Sequence, residues 1–496
     1  MYLINPQLHS RRAFLRRSAQ LAFTGVALPT ALNLASMGEA AAYSAADGTY
    51  KALVCVFMYG GNDYGNTVIP YDDGSYNKYS TIRGGGAGQT AGGIALAKAD
   101  LAATLLDSTA GLPAGRQYAF HPSMTGLRGL FNGGQAAVQL NVGPLIVPLT
   151  RAQYDGNNRT SFPLPPKLFS HNDQQSVWQS SSPEGSTIGF GGNMGDLAMA
   201  SNTNSLFTCI SVTGNAVFLA GDSALAYQVS SNGAVKINSV ANDVYGSSAV
   251  KGAMGQLIQQ TRAHVLENEY NNVTRRAVGA EGSITPAIGT TAAADARPAF
   301  APFQGITNNS LASQMKMVAR LIEARASLGA KRQVFFVSIG GFDLHDNLMT
   351  NHVTNMKRVS DAMTAFYQTT ANLGVAGDVT AFTASDFGRT LTSNGDGSDH
   401  GWGSHHWVVG GAVNGKAYYG SAPPVSVGNT SAPDDQWHVG QGRLLPSTSV
   451  DQYAATLAKW FGVSEAEMSG VLPNIGKFGA QGGRPDYPID LGFLRA

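Results

Sequence analysis

Continuous apolar runs alternate with amphipathic stretches along most of this chain. Residues 51–58 form one such run, which ends at Gly60 and Gly61 and is typical of a central parallel strand buried on both faces. Three more runs predict strands of the sheet, at residues 135–142, 333–339 and 378–384. The alternation of strands with helical patterns favours an α/β fold with a mostly parallel central sheet flanked by helices.

Helical periodicity is clearest over residues 310–328, where apolar side chains recur on one face. Weaker patterns predict further helices at about 122–131, 351–373 and 450–460. Residues 216–219 read as a short strand, and residues 407–415, which end in Asn-Gly, predict a hairpin. Residues 273–304 are rich in Ala, Gly, Thr and Pro, and this composition indicates an exposed insertion or linker.

The N-terminus carries an export pattern. The segment Ser10-Arg11-Arg12-Ala-Phe-Leu-Arg closely resembles a twin-arginine motif, and a weakly hydrophobic stretch at 21–32 and small residues at 40–42 follow it. That stretch is shorter than the roughly 20 apolar residues that a membrane span requires. We therefore expect residues 1–42 to be a cleaved signal peptide recognised by the twin-arginine translocase. The mature chain would then be periplasmic or secreted.

The amino-acid composition argues against nucleic-acid and membrane partners for the mature chain. The 33 Lys and Arg residues balance the 32 Asp and Glu residues, so the chain lacks the basic excess expected of a nucleic-acid-binding protein. No further apolar run predicts a membrane span in the mature chain. Two cysteines occur; Cys55 lies within an apolar strand, where a free buried thiol is the usual state, although a disulfide with Cys209 stays open.

Candidate chemistry concentrates after two predicted strands. Asp343 and His345 follow the strand at 333–339, while Asp386, Arg389 and His400 follow the strand at 378–384. Open α/β sheets keep their sites at the carboxyl ends of such strands. Neutral imidazole and carboxylate groups together bind divalent metals such as Zn or Mn, with Ca or Mg as alternatives. The two groups therefore predict one metal site at this edge.

These motifs resemble a twin-arginine-exported family, domain of unknown function 1501, which is a distant relative of the alkaline phosphatase and sulfatase superfamily. The resemblance covers nearly the whole mature chain, and its motifs begin at Gly60, Ser170, Gly340, Ser385 and Asp399. It implies that residues 43–496 form a single alkaline-phosphatase-like or sulfatase-like α/β sandwich with loop-rich insertions. It also implies a site that holds one or two metal ions.

The resemblance assigns roles to individual residues. Asp63 and Asp386 would hold one metal, while Asp343, His345 and His400 would hold the other. Phe387 stands where the superfamily has a ligand histidine, and His171 would replace that ligand from across the site. The nucleophile would be Ser170, with Thr67 as the other candidate. Arg389 would either bind substrate oxyanions as a planar fork or brace its loop by pairing with a neighbouring carboxylate.

Two functions remain open at this point. The first is an exported metal-dependent hydrolase of phosphate esters, acting on cell-envelope material; sulfate esters fit less well because the sulfatase-type Cys-x-Pro-x-Arg motif does not occur in the sequence. The second is a non-catalytic envelope or assembly protein that keeps the superfamily fold and at most a structural metal. The ligand-type residues at the strand ends favour the hydrolase.

Overall fold

The computed structural model describes residues 49–84, 93–480, 482–483 and 486–495. The predicted signal peptide at 1–42 lies outside these residues. The strands are β1 Lys51–Met58, β2 Val68–Pro70, β3 Tyr118–Phe120, β4 Ala136–Gly143, β5 Cys209–Ser211, β6 Tyr227–Ser230, β7 Gly233–Ala234, β8 Arg332–Ile339, β9 Val379–Ser385, β10 Ser404–Gly410, β11 Tyr418–Tyr419 and β12 Thr448–Ser449.

The α-helices are α1 Asp73–Ile82, α2 Lys98–Leu101, α3 Thr125–Asn132, α4 Arg151–Asp155, α5 His171–Ser180, α6 Phe190–Ala198, α7 Asn238–Ala241, α8 Ser248–Leu257, α9 Val265–Ile288, α10 Thr291–Asp295, α11 Ser310–Glu323, α12 Leu348–Asn372, α13 Val450–Phe461 and α14 Met468–Val471. Short 3-10 helices cover Tyr64–Asn66, Ala102–Thr104, Met199–Ser201, Ser205–Phe207, Val217–Leu219, Pro298–Phe303, Ala376–Asp378, Pro433–Trp437 and Ile475–Lys477. None of the described helices combines the length and the apolar character that crossing a membrane requires.

One large sheet runs in the order β11-β4-β10-β9-β1-β8-β5-β6-β7, and β12 pairs with β4. Strand β1 is central and pairs in parallel with β8 on one side and β9 on the other. Strand β10 runs antiparallel to both of its neighbours, β4 and β9. The sheet is therefore mixed and mostly parallel, which confirms the predicted α/β class.

Alternate side chains of β1 enter two separate cores. Val54 and Val56 pack on the face covered by α11 and α12, while Leu53 and Phe57 pack on the face covered by α6 and α13. Side chains of a strand point alternately to opposite faces, so a strand buried on both faces must be apolar throughout. This confirms the interpretation of residues 51–58. Both Cys55 and Cys209 are buried free thiols in the second core.

Residues 273–304, predicted as an exposed insertion or linker, are mostly helical. They form most of α9, then α10 and a 3-10 helix, and they bury Ala280, Ile284 and Ile288. These three side chains recur every fourth residue and so lie on one helix face. The composition, rich in small residues, hid this spacing.

Two local predictions were wrong. Residues 407–415 do not form a hairpin, because both edges of β10 are already occupied by β4 and β9, and the chain continues to β11, which pairs with β4 in parallel. The predicted strand at 216–219 is instead the 3-10 helix Val217–Leu219.

Candidate metal centre

The loops that follow β1, β8 and β9 meet at one edge of the sheet. Because β1 lies between the other two strands, the loop after β1 runs between Asp343, which follows β8, and Asp386, which follows β9. Gly60 donates its N–H to Asp386 Oδ1 at 3.1 Å. Its φ is +115°, and a Cβ there would lie 2.3 Å from the Asp343 nitrogen. Only glycine fits this close approach.

Asp343 is the centre of a histidine cluster. Its Oδ1 lies 3.1 Å from His345 Nε2 and 3.4 Å from His400 Nε2, and its Oδ2 lies 3.3 Å from His171 Nε2. The Nε2 atoms of His345 and His400 are 3.0 Å apart. The structure thus brings together Asp343, His345, His400 and His171, and His171 comes from the distant helix α5.

Each of the three histidines is held through its other ring nitrogen. His171 Nδ1 lies 2.7 Å from Asp386 Oδ2, His400 Nδ1 lies 2.7 Å from the Phe169 carbonyl, and His345 Nδ1 lies 3.1 Å from Asp399 Oδ1. Carboxylates and carbonyls only accept hydrogen bonds. Each Nδ1 therefore carries the proton, and each Nε2 of a neutral ring presents a lone pair to the cluster.

The cluster is consequently rich in electron pairs, and the Arg389 guanidinium contacts it only at Asp343 Oδ1 among the described contacts. His171 Nε2 is buried without a hydrogen-bond partner, and it faces a carboxylate oxygen that also offers only lone pairs. Metal-ligating histidines typically anchor the second ring nitrogen in this way. Ligands about 2.1 Å from a tetrahedral zinc ion are themselves about 3.4 Å apart. His171, Asp343 and His400 each present a ligand atom within 4.8 Å of the other two, and the spacings of 3.3 and 3.4 Å to Asp343 fit a divalent metal.

The surroundings of His400 and Asp343 favour a neutral imidazole and an ionised carboxylate, the forms that could bind a metal. Burial lowers the pKa of His400, which keeps its ring neutral. Burial raises the pKa of Asp343, but the Arg389 guanidinium outweighs that effect and holds the pKa below its usual value. The hydrogen bond with Asp386 raises the pKa of His171, so this ring binds protons and cations more strongly than an isolated histidine.

Asp386 was predicted as a ligand, but the structure uses it as a support. Its side chain is fully buried, and its oxygens accept from Gly60 N, Gln175 Nε2 at 2.8 Å and His171 Nδ1. Asp386 therefore contacts the ring nitrogen of His171 that points away from the cluster. Phe387 packs against the cluster, with its ring centroid 4.8 Å from those of both His171 and His400.

Asp63 was also predicted as a ligand, and it lies outside the cluster. It forms a buried ion pair with Arg83, with contacts of 2.6 and 2.8 Å. Ser398 Oγ and the Asn66 N–H donate to the same carboxylate at 2.7 and 2.9 Å. A carboxylate bound by four donors has no oxygen free to bind a metal at this position.

Ser170 and Arg389 are both engaged with neighbouring groups. Ser170 precedes α5, and its Oγ donates to Asp173 Oδ2 at 2.9 Å. Arg389 is 1 % exposed and donates to Asp343 Oδ1 at 2.7 Å and to the Gly60 carbonyl at 3.1 Å. Of its two predicted roles, the structure matches the bracing of its loop. The alternative nucleophile, Thr67, is fully buried and donates to the Asp63 carbonyl.

Several supporting groups were missed from the sequence. Asp399 precedes His400 and was visible as part of an Asp-His pair, but nothing local indicated that it would anchor His345. The Phe169 carbonyl is presented by a residue with φ +73°, a strained conformation for a bulky side chain that is often found at functional sites. His405 and His406 belong to β10, where burial lowers the pKa of each to about 3, and neither joins the cluster.

The fold and this cluster define an α/β protein with a candidate metal centre at the carboxyl edge of a mixed sheet. The family model described as "Protein of unknown function (DUF1501)" matches residues 50–467, and the chain belongs to that family. No match was found among curated proteins.

Proposed function

We propose that this protein is an exported metal-dependent hydrolase of phosphate esters with one catalytic divalent ion. The convergence of three Nε2 lone pairs on the Asp343 carboxylate supports the proposal most directly. His171, His345, His400 and Asp343 would hold the ion. A single ion is proposed because Asp63 and Asp386 are bound elsewhere. Imidazole-rich sites suit Zn or Mn better than Ca or Mg, which prefer oxygen ligands.

Hydrolysis of the phosphate ester would depend on the charge of the metal and on ligands that are held in place. A bound divalent ion neutralises negative charge that develops on phosphate oxygens during hydrolysis. Arg389 holds Asp343, and Asp386 holds His171, so both ligands are fixed before substrate arrives. Ser170 remains the proposed nucleophile because it directly precedes His171 and its hydroxyl proton already points to the Asp173 carboxylate. Phosphate rather than sulfate is proposed because the sequence has no sulfatase-type cysteine motif.

The same proposal includes export and distant ancestry. The Arg11-Arg12 motif supports recognition by the twin-arginine translocase and a periplasmic or secreted mature protein. Acidic and histidine groups at the ends of neighbouring parallel strands support a distant relationship with the alkaline phosphatase and sulfatase superfamily. Material of the cell envelope would then be the accessible substrate.

Metal content and ester hydrolysis, measured on the same samples, test this proposal. Purified folded protein should contain about one Zn or Mn per chain by elemental analysis. It should hydrolyse chromogenic phosphate esters faster than the matching sulfate esters, and only with metal. Asp343→Ala should lose both the metal and the activity. His264→Ala is the matched control, because His264 is exposed and precedes α9.

A non-catalytic envelope protein with a structural metal is the second candidate. The enclosure of Arg389, with 1 % exposure, favours it because this side chain faces protein groups rather than substrate. If the protein binds one equivalent of metal but hydrolyses no ester in a metal-dependent way, the non-catalytic function is supported. Turnover that is equal in wild type and Asp343→Ala would likewise contradict the hydrolase.

A further inference from the structure

The guanidinium of Arg389, one of whose predicted roles was to bind substrate, is hydrogen-bonded to neighbouring protein groups. Arg389 Nη1 donates to both Asp343 and Gly60, and Nε and Nη2 donate to Ser398. An arginine has five N–H donors, and these four bonds to protein groups use all but one of them. A phosphate group beside the metal centre therefore needs a different cation.

Arg443 is such a cation, and it contacts the backbone of His400. Its Nε donates to the His400 carbonyl at 2.7 Å, and its guanidinium lies 5.5 Å from the centre of the Phe169 ring. Both contacts are made with residues that position the metal ligands. The side chain is half-buried, and within the described residues its two terminal amino nitrogens make no hydrogen bond. Two parallel N–H donors are thus free beside the backbone of His400.

A rigid turn fixes Arg443 in this place. Gly440, Gln441 and Gly442 have φ values of +100°, +52° and +68°. The Gln441 carbonyl accepts from the N–H groups of Leu391 and Thr392 at 3.1 and 3.3 Å. A Cβ on Gly442 would lie 2.4 Å from Leu391 Cβ, so glycine is required where the turn packs on the loop that follows Arg389. The backbone of the turn is therefore held before any ligand binds.

We propose that Arg443 binds the phosphate group of the substrate beside the metal centre and selects phosphomonoesters. Two parallel N–H donors of a planar guanidinium match two oxygens of one phosphate. A phosphomonoester has three unesterified oxygens, which leaves one for the metal centre, whereas a diester has only two. The reaction named here rests on the proposed function, but the binding of phosphate by Arg443 does not.

Titration calorimetry with inorganic phosphate tests this role independently of turnover. Metal-loaded wild type is compared with Arg443→Gln, which removes the charge, and with Arg443→Lys, which keeps the charge without the fork. Arg276→Gln is the matched control, because Arg276 pairs with Glu269 on helix α9. Elemental analysis of each sample checks that metal content is unchanged.

Phosphate affinity should fall about ten- to a hundredfold in Arg443→Gln, as expected for the loss of charged hydrogen bonds. Arg443→Lys should be intermediate, and Arg276→Gln should match wild type. If Arg443→Gln loses metal, the Arg443→Lys comparison decides alone, and affinity equal to wild type overturns the role. Wild type that binds no phosphate, or Arg443→Gln that binds it equally well, also overturns it.

Hydrolysis measured on the same samples separates the two proposals. Arg443-dependent phosphate binding without turnover of any ester would support the binding role and contradict the hydrolase. Metal-dependent turnover that is the same in wild type and Arg443→Gln would support the hydrolase and contradict the role of Arg443. A monoester preference should be reduced in Arg443→Gln, because without the fork two unesterified oxygens are no longer needed in addition to the one at the metal centre.

Discussion

At the scale of single residues, the aspartates of this site have different environments. Asp343 faces the Nε2 atoms of the cluster, whereas Asp63 and Asp386 are enclosed by hydrogen-bond donors. Each follows one of three neighbouring strands, so position along the chain does not distinguish them. The difference is the set of donors that the tertiary structure brings to each carboxylate.

Substitution of Asp63 therefore tests the assignment. Asp63→Ala leaves Arg83 buried without its charged partner, since both side chains are at most 2 % exposed. We expect the free energy of unfolding to fall by about 3–5 kcal/mol, as for other broken buried ion pairs. Urea denaturation measures this loss, with Asp361→Ala, an exposed helical pair with Lys357, as the control.

The metal content of Asp63→Ala, measured by elemental analysis, is the second test of this assignment. Folded Asp63→Ala should still bind one metal, because the carboxylate does not face the cluster. Loss of metal from a variant that keeps wild-type stability would instead return Asp63 to the ligand set.

At the scale of elements, the strand ends position the ligands through close backbone approach. Gly60→Ala would place a Cβ 2.3 Å from the Asp343 nitrogen at a φ of +115°. We expect the β8 loop to move away and metal affinity to fall by at least about tenfold, because ligand geometry is altered. Metal titration of the folded variant measures the change. Gly279→Ala is the control, since its added Cβ meets no neighbour, and equal affinities in both variants would contradict the positioning role.

Helix α13 carries a buried carboxyl near its start. Asp451 is 3 % exposed, and burial raises its pKa to about 6, although Asn474 N and Ser181 Oγ donate to it. The unfolded carboxyl ionises near pH 4. Between about pH 4 and pH 6 the folded protein thus keeps a proton that the unfolded chain has lost. The contribution of this group to stability is complete below pH 4 and is lost as the pH rises through 6.

Asp451→Asn should remove this pH dependence. The stability of the variant relative to wild type should increase by roughly 2–3 kcal/mol between pH 4 and pH 8, because wild type alone must ionise a buried group. Denaturation curves at the two pH values measure the difference. A constant difference between the two proteins across this range would show that Asp451 is ionised without cost.

At the scale of the whole molecule, we predict export, and this prediction rests on residues 1–42, which lie outside the described residues. Twin-arginine substrates generally cross the membrane folded, which is compatible with a metal centre assembled from β8, β9 and α5 before export. Replacing Arg11 and Arg12 by Lys should leave uncleaved precursor in the cytoplasm. Cell fractionation and immunoblotting measure this, with Arg16→Lys and Arg17→Lys as the matched control. Mature protein in the periplasm of the double variant would contradict the assignment.

The sequence predicted much of the fold because burial leaves a local signature. A strand covered on both faces must be apolar at every position, as in residues 51–58, and a helix packed on one side must repeat its apolar residues with helical period, as in α11. The hairpin prediction at 407–415 failed because partner choice depends on which strand edges are free. The helices within 273–304 were not predicted because small residues pack well yet give a weak pattern.

By itself, the sequence determined the α/β class, the strands that end at the site and the residue types that gather there. Only the tertiary structure decided that Asp386 and Asp63 are enclosed by donors, and that Arg443 rather than Arg389 keeps free donors. The physical reason is that hydrophobic periodicity is a property of neighbours along the chain. The availability of a lone pair or an N–H group depends on partners up to several hundred residues away.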